Sequence, residues 1–272
     1  MNKKILIHSI VFSPDGVSTA YLYNDIALKF KEIGYEVVVL TTTPHYNAVV
    51  SELKKQPLRE RALGLYYESN FRGIKVKHVY QKKYKSTIRR LLGFVYWHIV
   101  SFLLALFEKK VDIILSPSPP LTIGLLNVII AKLKGTKVIY NVQEIYPDLL
   151  IEEGGLKSNV VISFLKWMER IVYNHSSAVT TIDRIFYETI VSRFKDKTKL
   201  HVIPNFVDTD IYKPIEKESL ELDKDLFPDT KSIKIMYAGN IGHAQDWEPL
   251  IALADELKED AVEFFVIGEG AM

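Results

Sequence analysis

The chain has 272 residues, 48% hydrophobic, 25% charged and 11% aromatic, with a formal net charge of +2, which is ordinary globular composition at a length suited to about two domains. It contains no cysteine, which excludes disulfide frameworks and thiolate metal sites. The small net charge hides an asymmetry of 18 Lys and Arg against 8 Asp and Glu through Lys110, and 17 against 25 beyond it, which points to an anionic partner for the N-terminal part, nucleic acid or an anionic membrane.

Residues 4–9 form a short apolar run that predicts a first strand, with no secretory signal before it. Pro14 and Gly16 break the chain into a turn, residues 18–33 predict a helix ended by Gly34, and residues 35–41 predict a β-branched strand. This βαβ opening is the usual start of a parallel sheet. Residues 42–73 read as a long, irregular, polar loop, and residues 74–80 as a half-buried strand. A helix at 86–107 is followed by strands at 111–116 and 137–142, separated by an apolar helix at 121–133. Then come a helix at 159–174, a strand at 178–182, a helix capped by Asp183 and running to about Phe194, and a strand at 200–203.

Residues 205–231, rich in proline and charge, read as a linker between a first domain at 1–204 and a second unit at 232–272. The second unit opens with a buried strand running into a glycine-rich turn at 233–242. A helix capped by Asp246 and a strand at 262–267 follow, completing one βαβ. The expected fold class is α/β: a complete, Rossmann-like, doubly wound parallel sheet followed by a truncated second Rossmann-like domain. Ligands of such sheets bind at the carboxyl ends of the strands.

Several clusters fall at those ends. Asp15, Gly16 and Val17 follow the first strand, where Gly16 allows close backbone approach and the next helix offers its N-terminus; the alternative is a plain βα turn. Gln143, Glu144 and Asp148 crowd the end of a buried strand, and the carboxylates could bind sugar hydroxyls or serve as a base rather than merely punctuate a turn. His45, on the loop after the second strand, is a candidate for acceptor binding, while His8, His78, His98, His175 and His201 read as packing residues. Asp208 and Asp210 form an Asp-x-Asp pair that reads as turn capping in a proline-bounded segment and not as a metal site. In the second unit, Gly239, Asn240, Ile241, Gly242 and Gln245 form a turn whose backbone N–H groups could face a diphosphate.

The stretch from Arg72 to Arg90 holds eight cations and no acid, and residues 91–107 carry no formal charge. Seventeen residues fall short of the ~20 that span a bilayer. This pair of segments predicts a buried helix with an exposed basic, membrane-facing edge.

In order along the chain stand Pro14-Asp15-Gly16-Val17-Ser18, Thr43-Pro44-His45-Tyr46, Ser116-Pro117-Ser118-Pro119-Pro120-Leu121 and Asn141-Val142-Gln143-Glu144-Ile145-Tyr146-Pro147. They are followed by Ile203-Pro204-Asn205-Phe206-Val207-Asp208, Tyr237-Ala238-Gly239-Asn240-Ile241-Gly242 and Ile267-Gly268-Glu269-Gly270. This series resembles the retaining glycosyltransferases of the GT-B fold, family 4, and within them the bacterial enzymes of capsule and O-antigen synthesis, fucosaminyltransferases included. The resemblance implies a first domain that binds the acceptor, a second that binds a nucleoside diphosphate sugar, and reaction in the cleft between them without metal or other cofactor. The implied acceptor is a polyprenyl-diphosphate-linked glycan. The implied location is the cytoplasm, peripheral at the inner face of the cytoplasmic membrane through the Arg72–Arg90 segment, with no nucleic-acid partner.

Glu144 is then the candidate catalytic residue. Asp15, Gly16, Val17, His45 and Gln143 are candidates for the acceptor, and Gly239, Asn240, Ile241, Gly242 and Gln245 for the donor. Two departures stand out. Gln143-Glu144 replaces the His-Asp pair of many relatives, and Asn240 with Gln245-Asp246 stands near the places of their diphosphate-binding Arg and Lys. The family's paired donor glutamates would fall beyond residue 272, so the expectation is a truncated and inactive portion. A non-catalytic membrane or glycan-binding module, and a GT-B-like nucleotide-sugar 2-epimerase, are the alternatives.

Overall fold

The computed structural model describes residues 3–48, 50–152, 154–216, 231–239, 241–242 and 245–268. The chain divides into two compact units, Met1–Val207 and Asp208–Met272. The first unit runs β1 (Lys4–His8), α1 (Ser18–Glu32), β2 (Glu36–Thr42), α2 (Val50–Lys55), β3 (Arg59–Arg61), β4 (Tyr66–Phe71), β5 (Ile74–Val79) and α3 (Thr87–Phe107). It continues with β6 (Ile113–Pro117), α4 (Leu121–Lys134), β7 (Lys137–Val142), α5 (Asp148–Glu152), α6 (Asn159–His175), β8 (Ala178–Thr181), α7 (Arg184–Ile190) and β9 (Leu200–Val202).

These strands form one nine-stranded sheet in the order β3-β4-β5-β2-β1-β6-β7-β8-β9. It is parallel from β5 to β9, and β3 and β4 extend it as an antiparallel edge. The chain builds outward from β1 through β2, then returns to place β6 on the other side of β1. That reversal is the topological switch point of a doubly wound sheet.

The strands are apolar on both faces because helices cover both. Leu6, Val38 and Leu40 pack with Trp97, Val100 and Ile123 on the α3–α4 side. Ile5, Ile7, Val37 and Val39 alternate to the opposite side against Tyr23 and Ala27 of α1. Gly135, at φ 67°, closes α4 in the left-handed conformation that glycine adopts without steric cost. Asp183 caps α7 as expected, accepting the Phe186 N–H at 2.7 Å.

In the first unit three expectations need correction. Residues 42–73 are not irregular: they contain α2 and the β3–β4 edge. The β4–β5 connection is a two-residue hairpin turn at Arg72 (φ 48°) and Gly73 (φ 82°), the left-handed pair that matches strand twist. The helix after Asp183 ends at Ile190 and continues only as a 3-10 turn, Val191–Arg193. The helix α3 is not buried: among its residues Trp97, Val100, Ser101 and Ala105 are buried, and most of the others face outward. It packs on β2, β5 and α4 along one narrow seam.

The second unit contains β10 (Ile233–Ala238), α8 (Glu248–Glu256) and β11 (Val262–Ile267), with β10 and β11 parallel and in register from Ile233↔Val262 to Ala238↔Ile267. The strand β10 is largely exposed, not buried, since its two-stranded sheet has one described helix to cover it. The helix starts at Glu248 with Pro249 in its first turn, and Trp247, not Asp246, occupies the N-cap position.

Candidate functional site

The loops that leave β1, β2, β6 and β7 all lie at the carboxyl edge of the first unit's sheet, around the β1/β6 switch point. Asp15 is buried, and its carboxylate is spent within the protein. It accepts the backbone N–H groups of His45 (3.3 Å), Tyr46 (3.0 Å) and Asn47 (3.1 Å). Gly16 N–H donates to the Asn47 carbonyl at 2.7 Å, and the Asn47 amide returns a bond to the Gly16 carbonyl. The candidate Asp15 is therefore a clamp that joins the β1 and β2 loops. Val17 occupies the N-cap position of α1, where no side chain caps the helix and the Val17 carbonyl accepts the Ala20 N–H at 2.9 Å.

Behind this clamp runs a buried polar relay that sequence reading missed. The Ser13 hydroxyl donates to Gln56 Oε1 (2.8 Å), and Gln56 Nε2 donates to both the Ser13 carbonyl and Ser69 Oγ. Ser69 meets His78 Nε2 at 2.7 Å, and His78 Nδ1 meets the Thr42 carbonyl at 3.0 Å. A carbonyl only accepts, so Nδ1 carries the proton and Nε2 accepts from Ser69. Burial pushes the His78 pKa down to about 4, keeping the ring neutral.

At the end of β7 the two candidates behave differently. The Gln143 amide bonds Asn141 Oδ1 (2.7 Å) and forms a reciprocal pair with Asn205 (3.0 and 2.8 Å). Asn141 in turn accepts from the Tyr23 hydroxyl at 2.5 Å and donates to Thr180. Buried Ser118, on the loop after β6, accepts the Gln143 N–H at 3.0 Å and donates to the Glu144 carbonyl at 3.3 Å. The Glu144 backbone is thus fixed, whereas its half-buried carboxylate takes no hydrogen bond or ion pair from any described residue. Asp148, by contrast, is paired with Arg193, which also holds Glu169 at 2.5 Å. It reads as part of a packed ion cluster and not as a ligand group.

His45 stacks against Tyr46 with ring centroids 4.3 Å apart, and its Nδ1 lies 2.8 Å from the Thr43 carbonyl. Burial, the largest influence, lowers its pKa. The ring sits at the rim of a cleft of about 500 Å³ that also includes Tyr67, Tyr80, Lys82 and Lys83. The two tyrosines, Leu53 of α2 and Leu58 just after it come from segments far apart in the chain, which is why the sequence did not reveal the cleft.

The basic segment does not form one surface. Lys75 pairs with Glu68 at 2.8 Å, Lys77 pairs with Glu108 at 2.6 Å, and Arg72 lies in the hairpin turn at the far end of β5 from Lys82. The contiguous, acid-free part is Lys82 to Arg90, leading into α3. From there an exposed apolar stripe runs along the helix through Ile88 (71% exposed), Leu91, Leu92, Val95, Ile99 and Phe107 (74%). These positions recur at helical spacing, so they lie on one side.

In the second unit, the Gly239 N–H donates to the Ile267 carbonyl at 2.9 Å, and the Gly242 N–H donates to Gln245 Oε1 at 3.0 Å. Trp247 Nε1 donates to the Gly242 carbonyl at 3.3 Å. Ile241 lies in the same turn, half-buried, and Asn240 lies outside the described residues. The two described glycine N–H groups are therefore occupied within the unit. Asp208 Oδ1 accepts the Asp210 N–H at 2.8 Å, the turn-capping geometry expected of that pair.

Residues 20–205 match the family described as Glycosyl transferase 4-like domain. WcaI of Escherichia coli (strain K12), named as a colanic acid biosynthesis glycosyl transferase, is 26% identical over 277 residues, covering 98% of this chain and 66% of its own length. WbjE of Pseudomonas aeruginosa, named as a glycosyltransferase, is 21% identical over 166 residues, covering 60% of this chain and 41% of its own. The chain thus spans less than two thirds of the length of these curated relatives. Among solved structures, the catalytic domain of starch synthase IV from Arabidopsis thaliana, bound to ADP and acarbose, aligns with a TM-score of 0.65 at 13% identity, covering 100% of this chain and 69% of that one. HepE (Alr3699) of Anabaena, in complex with UDP and glucose, aligns at 0.61 with 12% identity, covering 99% and 62%. At such identities the likeness establishes the fold, which is that of the GT-B glycosyltransferases.

Proposed function

The chain belongs to the glycosyl transferase 4-like family, and from that membership we propose that it forms part of a retaining enzyme of surface polysaccharide synthesis. The enzyme moves a hexose or amino-hexose from a nucleoside diphosphate sugar to a lipid-linked glycan. The observation that carries this reading is the carboxylate of Glu144, held by a fixed backbone at the ligand edge of the sheet and left without a partner among the described residues. A free carboxylate there can orient a sugar hydroxyl or take its proton as the glycosidic bond forms. The departing diphosphate needs positive potential, which a donor domain supplies through helix N-termini and backbone donors.

The test uses the full-length protein carrying this chain, UDP-, GDP- and dTDP-linked hexoses, and membrane vesicles bearing lipid-linked glycans. Glu144→Gln is expected to lower kcat by about a hundredfold. Sugar transfer that is undiminished in Glu144→Gln removes Glu144 from the reaction, and no transfer from any of the donors removes the enzyme reading.

A second element concerns location. The exposed stripe of α3, preceded by Lys82, Lys83, Lys85, Arg89 and Arg90, supports peripheral attachment to an anionic membrane. The same stripe is what favours the alternative of a membrane-binding module without catalysis. Flotation with phosphatidylglycerol liposomes, comparing the native chain with the Lys82→Glu, Lys83→Glu, Lys85→Glu triple variant, is expected to lose the protein from the lipid fraction. Equal flotation refutes the basic edge as an anchor.

A further inference from the structure

The cleft beside the β2 loop has a composition that the reading above does not use. Its volume, about 500 Å³, lies within the range of small-ligand sites. Tyr67 stands directly opposite His78 in the antiparallel β4–β5 pair, and Tyr80 lies two residues beyond His78. Both rings therefore project from one side of the sheet edge, close enough to share a ligand. Leu53 and Leu58 supply apolar wall, and no acidic side chain lines the cleft. Lys83 is held in place by donating to the Tyr46 carbonyl at 2.8 Å, with its ammonium 5.8 Å from the Tyr46 ring centre. Lys82 has no acidic partner among the described residues.

Aromatic faces pack against the C–H face of a pyranose, and paired ammonium groups donate hydrogen bonds to phosphate oxygens. The chain that carries the two lysines then passes directly into α3, whose exposed apolar stripe begins at Ile88. Sugar-binding rings, phosphate-binding cations and an apolar surface thus follow one another in the order of sugar, diphosphate and lipid.

We propose that this cleft binds the glycosyl diphosphate of the lipid-linked acceptor, with Tyr67 and Tyr80 carrying its first sugar ring, Lys82 and Lys83 its diphosphate, and the lipid leaving along the start of α3. The proposal rests on the lipid-linked acceptor of the preceding section. It adds a consequence for specificity. The sugar-binding rings belong to β4 and to the loop after β5, and Glu144 follows β7, with β2, β1 and β6 between, a separation of four to five strand spacings, about 19–24 Å at ~4.8 Å per strand. An acceptor anchored here presents its growing end to Glu144, not the lipid-linked sugar itself.

The experiment is a calorimetric titration of farnesyl-diphosphate-linked N-acetylglucosamine into the full-length protein without donor, so that binding is read apart from turnover. Lys82→Ala with Lys83→Ala is expected to weaken binding about ten- to a hundredfold. Lys82→Arg with Lys83→Arg restores most of it, and Tyr67→Leu with Tyr80→Leu weakens this probe while leaving farnesyl diphosphate unaffected. Melting curves of the lysine variants should overlay the native one, because both side chains are exposed. No binding of the probe, or an unchanged Kd in the double Lys→Ala variant, overturns the proposal. UDP-glucose that displaces the probe and is weakened by the same lysine substitutions reassigns the cleft to the nucleotide sugar and overturns the lipid source. Lysine-dependent probe binding without transfer from any nucleotide sugar upholds the cleft and refutes the catalytic reading instead.

Discussion

Replacing Asp15 by alanine separates a structural clamp from a ligand group. The native carboxylate accepts three backbone N–H groups, two at 3.0 and 3.1 Å on Oδ1 and a longer one at 3.3 Å on Oδ2. Hydrogen bonds to a charged group contribute about 1.5–3 kcal/mol each. Tyr46 and Asn47 are exposed enough for water to satisfy their freed N–H groups, and the His45 bond is long, so the lower end of the range applies. With about 1.5 kcal/mol for each bond on Oδ1 and about 1 for the longer one, the expected loss is about 4 kcal/mol. For a unit of 150–250 residues that corresponds to a melting temperature lowered by about 8–16 °C. Asp15→Asn keeps the Oδ1 acceptor and loses only the weakest bond, so its cost should be about 1 kcal/mol.

The assay is thermal unfolding by circular dichroism, joined to hydrogen exchange at the amides of His45, Tyr46 and Asn47. These amides should lose protection in Asp15→Ala and largely retain it in Asp15→Asn. Because the clamp also shapes the rim of the tyrosine–lysine cleft, probe binding should fall with the loss of protection. An Asp15→Ala protein that melts like the native chain, keeps those amides protected and still fails to bind or transfer sugar would refute the clamp and return Asp15 to the ligand.

Gly124→Ala places a Cβ 2.6 Å from Tyr140 Cε2 and 2.9 Å from Val172 Cγ1, where α4 crosses β7 and α6; the overpacking should cost about 1–3 kcal/mol in urea unfolding. Arg193→Ala strands the buried Glu169, which burial already pushes to a higher pKa, and should cost about 3–5 kcal/mol, with Glu169→Gln in the same chain recovering part of it. Burial lowers His8 and His78 to about 4. The unfolded chain therefore binds more protons than the folded one between about pH 6.5 and 4, and stability should be full above that window and decline as pH falls through it. A urea midpoint unchanged from pH 7.5 to 5 contradicts the neutral, buried imidazoles.

What the sequence made legible was decided by how far apart the interacting residues lie. The parallel strands carry their own evidence, since burial on both faces demands unbroken apolar runs such as Val37-Val38-Val39-Leu40. The β3–β4 edge does not. Tyr66-Tyr67-Glu68-Ser69-Asn70-Phe71 is a polar segment whose register is fixed by pairing with β5 and by the Gln56–Ser69–His78 relay. The basic run misled for the same reason. Its charges look uniform in one dimension, but Lys75 and Lys77 are neutralised by Glu68 and Glu108, and the length of β5 separates Arg72 from Lys82. The cleft draws on four separate segments, and its only local sign was Pro44-His45 after a strand.

The replacement at Gln143-Glu144 takes on a definite meaning from its surroundings. An amide cannot carry a proton through a reaction, and this one is committed on both its oxygen and its nitrogen to Asn141 and Asn205. Asn205 lies just before the boundary of the first unit at Val207. Gln143 thus splints the segment that leaves the first unit to the end of β7, and through Asn141 to Tyr23 of α1. Under the proposed function, proton transfer at this pair of residues falls to the Glu144 carboxylate, because the Gln143 amide carries none. Gln143→Ala should therefore act as a splint does, lowering stability by about 1 kcal/mol and raising the acceptor KM without changing the pH dependence of kcat. Glu144→Gln should leave stability unchanged and lower kcat with little effect on the acceptor KM. A fall in kcat in Gln143→Ala as large as that in Glu144→Gln would mean that the amide also touches the reacting hydroxyl.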